Sequence, residues 1–376
     1  MKALKNPKNF ESPLWRDKTL AASAFEKMAS LTAGAVSRTG KTVSLMEVCG
    51  SHTMAIAASG MRRLFPKGLK MLSGPGCPVC VTAQGDIDLV LELAARPGVI
   101  IATFGDMLKV RGSNGLDLRS MREQGSDVSV VYSPMDALAL AVENPGRQVV
   151  FVGVGFETTA PVIAGAVLRA RAEKIRNFSV IPLFKLVPPA LELLLKVPGH
   201  NISGFMLPGH VSAIIGLEPY RFVVEKYSAP CVVTGFEPLD ILAGINMLLE
   251  QLVSGVPALE SEYGRAVRTE GNPRALEIMR EVFSVTEARW RSIGAIKKSG
   301  LGFSRAFSGF DAVERFKLSY RAAPEPKGCI CGGILLGKAL PADCGLFGKA
   351  CSPSHAVGPC MVSSEGACAA WFKYGG

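Results

Sequence analysis

Val43-Ser-Leu-Met-Glu-Val-Cys49-Gly-Ser-His52-Thr53, followed one helix and one strand later by Leu69-Lys-Met-Leu72-Ser-Gly74-Pro-Gly-Cys77-Pro-Val-Cys80, is the stretch on which the reading of the chain turns. Each cysteine lies just past a short apolar run, where a strand would deliver it into a Gly-rich turn. Three thiols are thereby expected at the carboxyl edge of one sheet, the edge at which open α/β sheets bind ligands. A thiol at a helix N-terminus is expected to have a lowered pKa and raised reactivity. Cys77-x-x-Cys80 suits a reversible disulfide or a soft metal, and Cys49 with His52 adds a thiolate and an imidazole, a donor set for Fe, Zn or Cu rather than Mg or Ca. The plainer reading makes Cys49 a small buried hydrophobe and His52 a satisfied helix-cap residue.

Working outward, the pattern of strand, turn and helix repeats. Strands are expected at 43–48, 69–72, 98–104, 128–132, 148–154, 178–184, 202–207 and 231–235, with helices near 53–64, 86–95, 134–142, 158–173, 188–196 and 238–253. The helix from Thr158 has the firmest basis, because Ala160, Ile163, Ala164, Val167 and Leu168 keep the stripe of a helix facing a core. Short apolar strands alternating with amphipathic helices predict parallel sheets with right-handed crossovers. Eight strands fit two smaller sheets, hence an α/β fold class of two Rossmann-like parallel-sheet domains plus a small Cys-rich iron-sulfur domain. The expected borders are a helical lead-in at 1–40 (helix near Thr19 to Leu31) packing on the C-terminal domain, α/β domains at 41–145 and 146–254, and a helical connector with the cluster domain at 255–376. Trp290, Phe303 and Phe307 are the connector's expected packing anchors.

The second half has its own strand-end motif, Val149-Val-Phe-Val-Gly153-Val-Gly155-Phe-Glu157-Thr158-Thr159. As a dinucleotide fingerprint it is incomplete, since Thr158 stands at the third glycine position. Glu157, Thr158 and Thr159 instead offer an acceptor and two hydroxyls at a helix N-terminus, either as site groups or as simple caps. Pro188-Pro189, Leu207-Pro-Gly-His210 and Gly235-Phe-Glu-Pro238 repeat this strand-end grammar, which suggests a second set of edge loops facing the first across a cleft. Gly34-Ala-Val-Ser-Arg-Thr-Gly40-Lys41-Thr42 imitates a P-loop but has one residue too many between its glycines and precedes a strand, so it is rejected.

With 376 residues, 48% hydrophobic and 20% charged, the chain is long enough for two or three folded domains. Its formal charge of +10 is spread without a long run or an aromatic-interleaved basic module, which argues against nucleic acid as a partner. No apolar stretch has the length of a transmembrane helix and no signal-peptide core follows Met1, so no membrane and a cytoplasmic location are expected. Cysteines in such a chain serve as metal ligands or redox groups more often than as a disulfide framework. Beyond Gly328 the chain is dense in Gly, Pro and Cys and needs a metal or cross-links to fold. Cys331, Cys344, Cys351 and Cys368 supply the ligand count of a [4Fe-4S] cluster, with four-thiolate zinc the rival. Cys329 and Cys360 are left over, either bonded to each other or free, and His355 reads as a solvated loop residue.

Met46-Glu-Val-Cys-Gly-Ser-His-Thr53, Gly74-Pro-Gly-Cys-Pro-Val-Cys80, Gly105-Asp-Met107, Tyr132-Ser-Pro134, Gly155-Phe-Glu-Thr-Thr159, Pro208-Gly-His210 and Met361-Val-Ser-Ser-Glu-Gly-Ala-Cys368 together resemble the HypD family of [NiFe]-hydrogenase maturation factors, from about residue 40 to the C-terminus. The resemblance implies an iron-binding scaffold that forms a stable complex with HypC, meets HypE transiently as cyanide donor, and assembles an Fe(CN)2CO unit for the hydrogenase large subunit. It implies Cys49 as an iron ligand, Cys77 and Cys80 as a redox pair, and Cys331, Cys344, Cys351 and Cys368 as holders of the [4Fe-4S] cluster. His52, Glu157 and Thr158 would orient or protonate the incoming ligand. A stand-alone Fe-S thiol-disulfide oxidoreductase and a zinc-organised binding module are the competing readings.

Overall fold

The computed structural model describes residues 17–375, so the expectations for residues 1–16 lie outside it. Its strands are β1 (Val43–Glu47), β2 (Leu69–Ser73), β3 (Val99–Thr103), β4 (Asp127–Val130), β5 (Gln148–Gly155), β6 (Phe178–Phe184), β7 (Gly204–Pro208), β8 (Cys231–Thr234), β9 (Leu259–Ser261), β10 (Phe283–Trp290) and β11 (Gly294–Phe303). All eight expected strands are present. Strands β1, β3, β7 and β8 are buried along their whole length, the signature of parallel strands covered on both faces.

Two parallel sheets result. One has five strands in the order β2-β1-β7-β8-β9, the other four in the order β4-β3-β5-β6. The α/β class with two Rossmann-like sheets therefore stands, but the sheets do not follow a border at 145/146. Strands β1 and β2 join β7 and β8, whereas β3 to β6 form the second sheet, so the four-stranded unit is inserted between β2 and β7 of the five-stranded one. The physical reason is that β1, buried on both faces, needs a neighbour on each edge. β2 supplies one, and the chain must travel to Gly204, paired with Leu45, for the other.

Two further expectations are corrected. The lead-in helix, Lys18–Thr39, rests on the helix Pro238–Ser254 rather than on the C-terminal segment. Met28 and Ala35 share a core with Ile241, Ile245 and Leu248. Asn246 Nδ2 donates to Ala24 O (3.1 Å), and Arg38 Nη1 donates to Val253 O (2.9 Å). The connector is not all helical: after the helix Pro273–Val282, β10 and β11 form an antiparallel hairpin. Residues 284–287 are exposed on both faces, so the strand carries no apolar alternation to read. Trp290 and Phe307 are buried as expected.

The cysteine-rich ending has no core of its own. Cys331, Ile334, Leu335, Cys360, Met361 and Cys368 belong to the same buried cluster as Met46, Cys77, Cys80 and Phe205. Among the described residues no helix is long and apolar enough to cross a membrane.

Candidate functional site

In the five-stranded sheet the strand order reverses between β1 and β7, and at that switch point an open α/β sheet leaves a crevice beyond its carboxyl ends. Cys49 follows β1 by two residues and, with extended backbone, caps the helix Gly50–Ala58. His210 follows β7 by two residues, at the start of the helix Gly209–Ile215. The crossover places Cys49 Sγ 3.7 Å from His210 Nε2.

Cys49 is buried, and its thiol is pushed up to about 12. Burial is the main cause and outweighs the backbone N–H groups of Ser51 and His52, so the expected lowering by the helix N-terminus does not materialise. A thiol in this state remains protonated until a metal displaces the proton. Burial also lowers the pKa of His210, which keeps its imidazole neutral and available as a lone-pair donor.

His52 is not the imidazole that meets the thiol. It is fully buried, and its Nε2 donates to the carbonyls of Thr234 (3.1 Å) and Gly235 (2.9 Å) at the end of β8. Burial depresses its pKa to about 4. The Phe236 ring is sandwiched between the two imidazoles, 4.7 Å from His52 and 4.9 Å from His210. His52 thus fixes Phe236, and Phe236 fixes His210. The sequence signal for His210, Pro208-Gly-His210 after a strand, reads only as loop grammar until the crossover is known.

Cys77 and Cys80 are joined by a disulfide at the N-terminal turn of the helix Pro78–Val81. Gly76 presses on the backbone of Cys49, leaving no room for a Cβ, and its carbonyl accepts from Gly50 N at 3.0 Å. The sheet edge therefore brings Cys49 and the Cys77–Cys80 pair into adjoining loops, as expected. From the tail, Glu365 accepts a hydrogen bond from Ser51 Oγ (2.8 Å), and its charge acts on Cys49. Asp106, at the end of β3, accepts from Ser363 Oγ, Ser364 N and Ser364 Oγ at 2.9–3.0 Å. Asp106 and Glu365 close the site by tying the tail to both sheets; sequence reasoning quoted their motifs but did not single them out.

Glu157 lies two residues past β5, where Oε1 accepts from Val187 N (2.9 Å) and Oε2 is buried without a partner. It borders a cavity of about 470 Å³ lined also by Pro188, Met279 and Phe283. Thr158 is half-buried beside it, and Thr159 begins the helix Ala160–Ala172 with no side-chain cap bond. Burial raises the Glu157 carboxyl to about 7. A carboxyl raised from 4.5 is protonated in the folded chain while the unfolded chain has already released its proton, so its stability contribution is full below 4.5 and lost as pH rises through 7. Glu157→Gln removes that loss. In denaturant unfolding the variant is expected to gain about 2–3 kcal/mol over the parent at pH 8 and nothing at pH 4. A pH-independent difference would contradict the burial account.

The tail cysteines gather as neighbours. Cys329 and Cys360 are free thiols, not bonded to each other, and each interacts with the buried Cys331. Cys368 feels Cys331, Cys329, Cys351 and Cys344, and Cys351 Sγ accepts from Val357 N at 3.3 Å. Among the described residues no three His, Cys, Asp or Glu side chains form a preformed metal-holding group. Thiols as soft donors nevertheless suit an iron–sulfur cluster more than a hard cation. His355 is exposed, with its ring beside Ser354 Oγ and its backbone bonded to Ser352. Cys231, the remaining cysteine, is buried in β8 near Ala258 O and has no place in the site.

Comparison with known proteins shows the family of the chain. The family model HypD, described as "Hydrogenase formation hypA family", matches residues 23–375. The hydrogenase maturation factor HypD of Rhodobacter capsulatus is 43% identical over 367 residues, covering 96% of this chain and 97% of the relative. That of Escherichia coli strain K12 is 43% identical over 335 residues (89% and 90%), and that of Azotobacter vinelandii 44% over 337 residues (88% and 89%). A match over nearly the whole length, at about 43% identity to these relatives, means that the protein belongs to the HypD family of hydrogenase maturation factors.

Proposed function

We propose that the chain is an iron-binding scaffold which, with HypC and HypE, builds the Fe(CN)2CO unit destined for a [NiFe]-hydrogenase large subunit. The observation that carries this reading is the approach of Cys49 Sγ to His210 Nε2 at the sheet's switch point, beside the Cys77–Cys80 pair. Low-spin iron carrying cyanide and CO favours soft, electron-rich ligands, and a thiolate in a buried pocket supplies one. Cys49 donates that thiolate, His210 lies next to the metal position, and Phe236 holds the imidazole in place.

Cyanide arriving as a thiocyanate on a HypE cysteine needs two electrons to leave. The reduced Cys77/Cys80 dithiol supplies them: the S–CN bond breaks, the donor sulfur leaves as thiolate, cyanide is released, and the dithiol loses two protons to become the disulfide found here. Glu157, with its carboxyl near 7, holds a proton at the neighbouring sheet edge, and the Thr158 hydroxyl stands next to it. Cys344, Cys351 and Cys368, with Cys331 or Cys329 as the fourth donor, would hold a [4Fe-4S] cluster, whose chemistry when bound is to return electrons to the dithiol.

The choice of fourth ligand is testable, since Cys329 and Cys331 are both free thiols that interact with each other. Whichever of Cys329→Ser and Cys331→Ser removes the ligand is expected to lose most of the four irons per chain, and the other to keep them. Full iron in both variants would refute a cluster that uses either thiol.

Infrared spectroscopy with iron quantification, on anaerobic protein co-expressed with its HypC partner, tests the whole reading. Metal–CO and metal–CN bands with iron beyond a cluster's four are expected. A stand-alone Fe-S thiol-disulfide oxidoreductase would use the same disulfide, and iron confined to a cluster with no such bands, when HypE and a cyanide source are supplied, would select it.

A further inference from the structure

The turn joining β10 to β11 lies at the meeting point of both sulfur regions. Trp290 packs against Phe156 at the end of β5, and its indole Nε1 donates to Ser299 Oγ (2.8 Å), which braces the hairpin. The next residue, Arg291, is fully buried although it is a cation. Its backbone N donates to Val81 O and its Nε to Thr82 O, both at 2.8 Å, so it grips the chain directly after Cys80. Nη1 donates to Gln84 Oε1 (2.7 Å) and to Glu325 Oε2 (2.8 Å), the latter at the entry to the cysteine-rich tail. Ser292, in left-handed backbone (φ 58°), donates from N to the other Glu325 oxygen at 3.2 Å, and Gly332, the neighbour of Cys331, packs on its side chain. Arg291 Nη2 is buried without a partner, and the guanidinium charge acts on Cys329, Cys331 and Cys360.

We propose that Arg291 is a positioning residue through which the redox state of the Cys77–Cys80 pair controls the order of the cysteine-rich tail. The inference rests on the dithiol role assigned above, but not on the presence of a cluster. The disulfide closes the turn whose last carbonyls, Val81 and Thr82, hold Arg291. Opening it frees that turn, and the same guanidinium anchors Glu325. A forked cation that bridges two elements transmits such a change because its donors are fixed in one plane. A buried cation left with fewer acceptors is costly, so the loosened turn and the tail respond together.

The test is amide hydrogen exchange of the full chain, read over residues 325–362, before and after reduction by a phosphine. That reagent takes oxygen from water to give the phosphine oxide and leaves two thiols in place of the disulfide. Exchange in the tail is expected to rise at least several-fold on reduction, and to the same extent in the Cys77→Ser/Cys80→Ser chain without reductant. Arg291→Lys and Glu325→Ala are each expected to make tail exchange independent of the pair's state; Glu325→Ala serves if Arg291→Lys does not fold. Tail exchange that is identical in the two redox states of the parent, or that still responds in Glu325→Ala, overturns the proposal. Iron content and infrared bands of the same samples report separately on the scaffold reading, which can fail while this coupling holds.

Discussion

Under the proposed scaffold role, Cys49→Ala is expected to abolish the metal–CO and metal–CN infrared bands of the chain purified with a HypC protein, while the iron proposed for the tail stays in place. Alanine removes only the sulfur from a buried position, so the fold should survive while the metal loses its ligand. Cys231→Ala is the matched control. Both thiols are buried and pushed up to about 12 by desolvation, but Cys231 faces the carbonyl of Ala258 inside the sheet whereas Cys49 faces an imidazole at its open edge. The control should keep the bands. His210→Gln should retain the thiolate and lose the ring, with iron affinity falling about 10–100-fold, the range for removing a group that orients a metal ligand. Undiminished bands in Cys49→Ala would remove this chain's thiolate from the reaction.

The contrast between those two thiols also explains which parts of the molecule were legible in the sequence. Strands such as Val99–Thr103 and Cys231–Thr234 are apolar runs because they are covered on both faces, and a run of that kind is visible without any partner. Sheet membership is not visible in the same way. The expectation that successive strands share a sheet places β3 and β4 beside β1, yet β1's second neighbour is β7, and only the Leu45–Gly204 pairing shows that the four-stranded unit is an insertion. The same long crossover hid His210. Cys49 and His210 are far apart in sequence, and the nearer His52 carried the stronger local signal. The hairpin Phe283–Phe303 is not legible as a pair of strands because its outer residues are solvated, and beside the expected anchor Trp290 it buries an arginine, a residue type rarely found in a core. The cysteines are visible in the composition, but the interaction of Cys331 with Cys329 and Cys360 depends on how the tail folds against the hairpin tip.

Gly76→Ala is expected to have the largest effect on stability and site geometry together. Any Cβ at this position would overlap the backbone of Val48 and Cys49, which are main-chain atoms and cannot rotate away. The usual cost of an overpacked methyl in a tight core is about 1–3 kcal/mol, and a clash with fixed backbone should reach the top of that range. Relief requires the Gly74–Cys77 loop to retreat from Cys49, which breaks the Gly50 N to Gly76 O bond and separates the Cys77–Cys80 pair from the Cys49–His210 edge. Gly165→Ala provides the opposite case: it lies inside the helix Ala160–Ala172 with open space where its Cβ would stand. That change should stabilise by about 0.5–1 kcal/mol through the helix preference for alanine. Denaturant unfolding of the two variants, read alongside the infrared bands, separates a packing effect from a chemical one. If Gly76→Ala matched the parent in both stability and bands, the close approach of the two thiol-bearing loops would not be what builds this site.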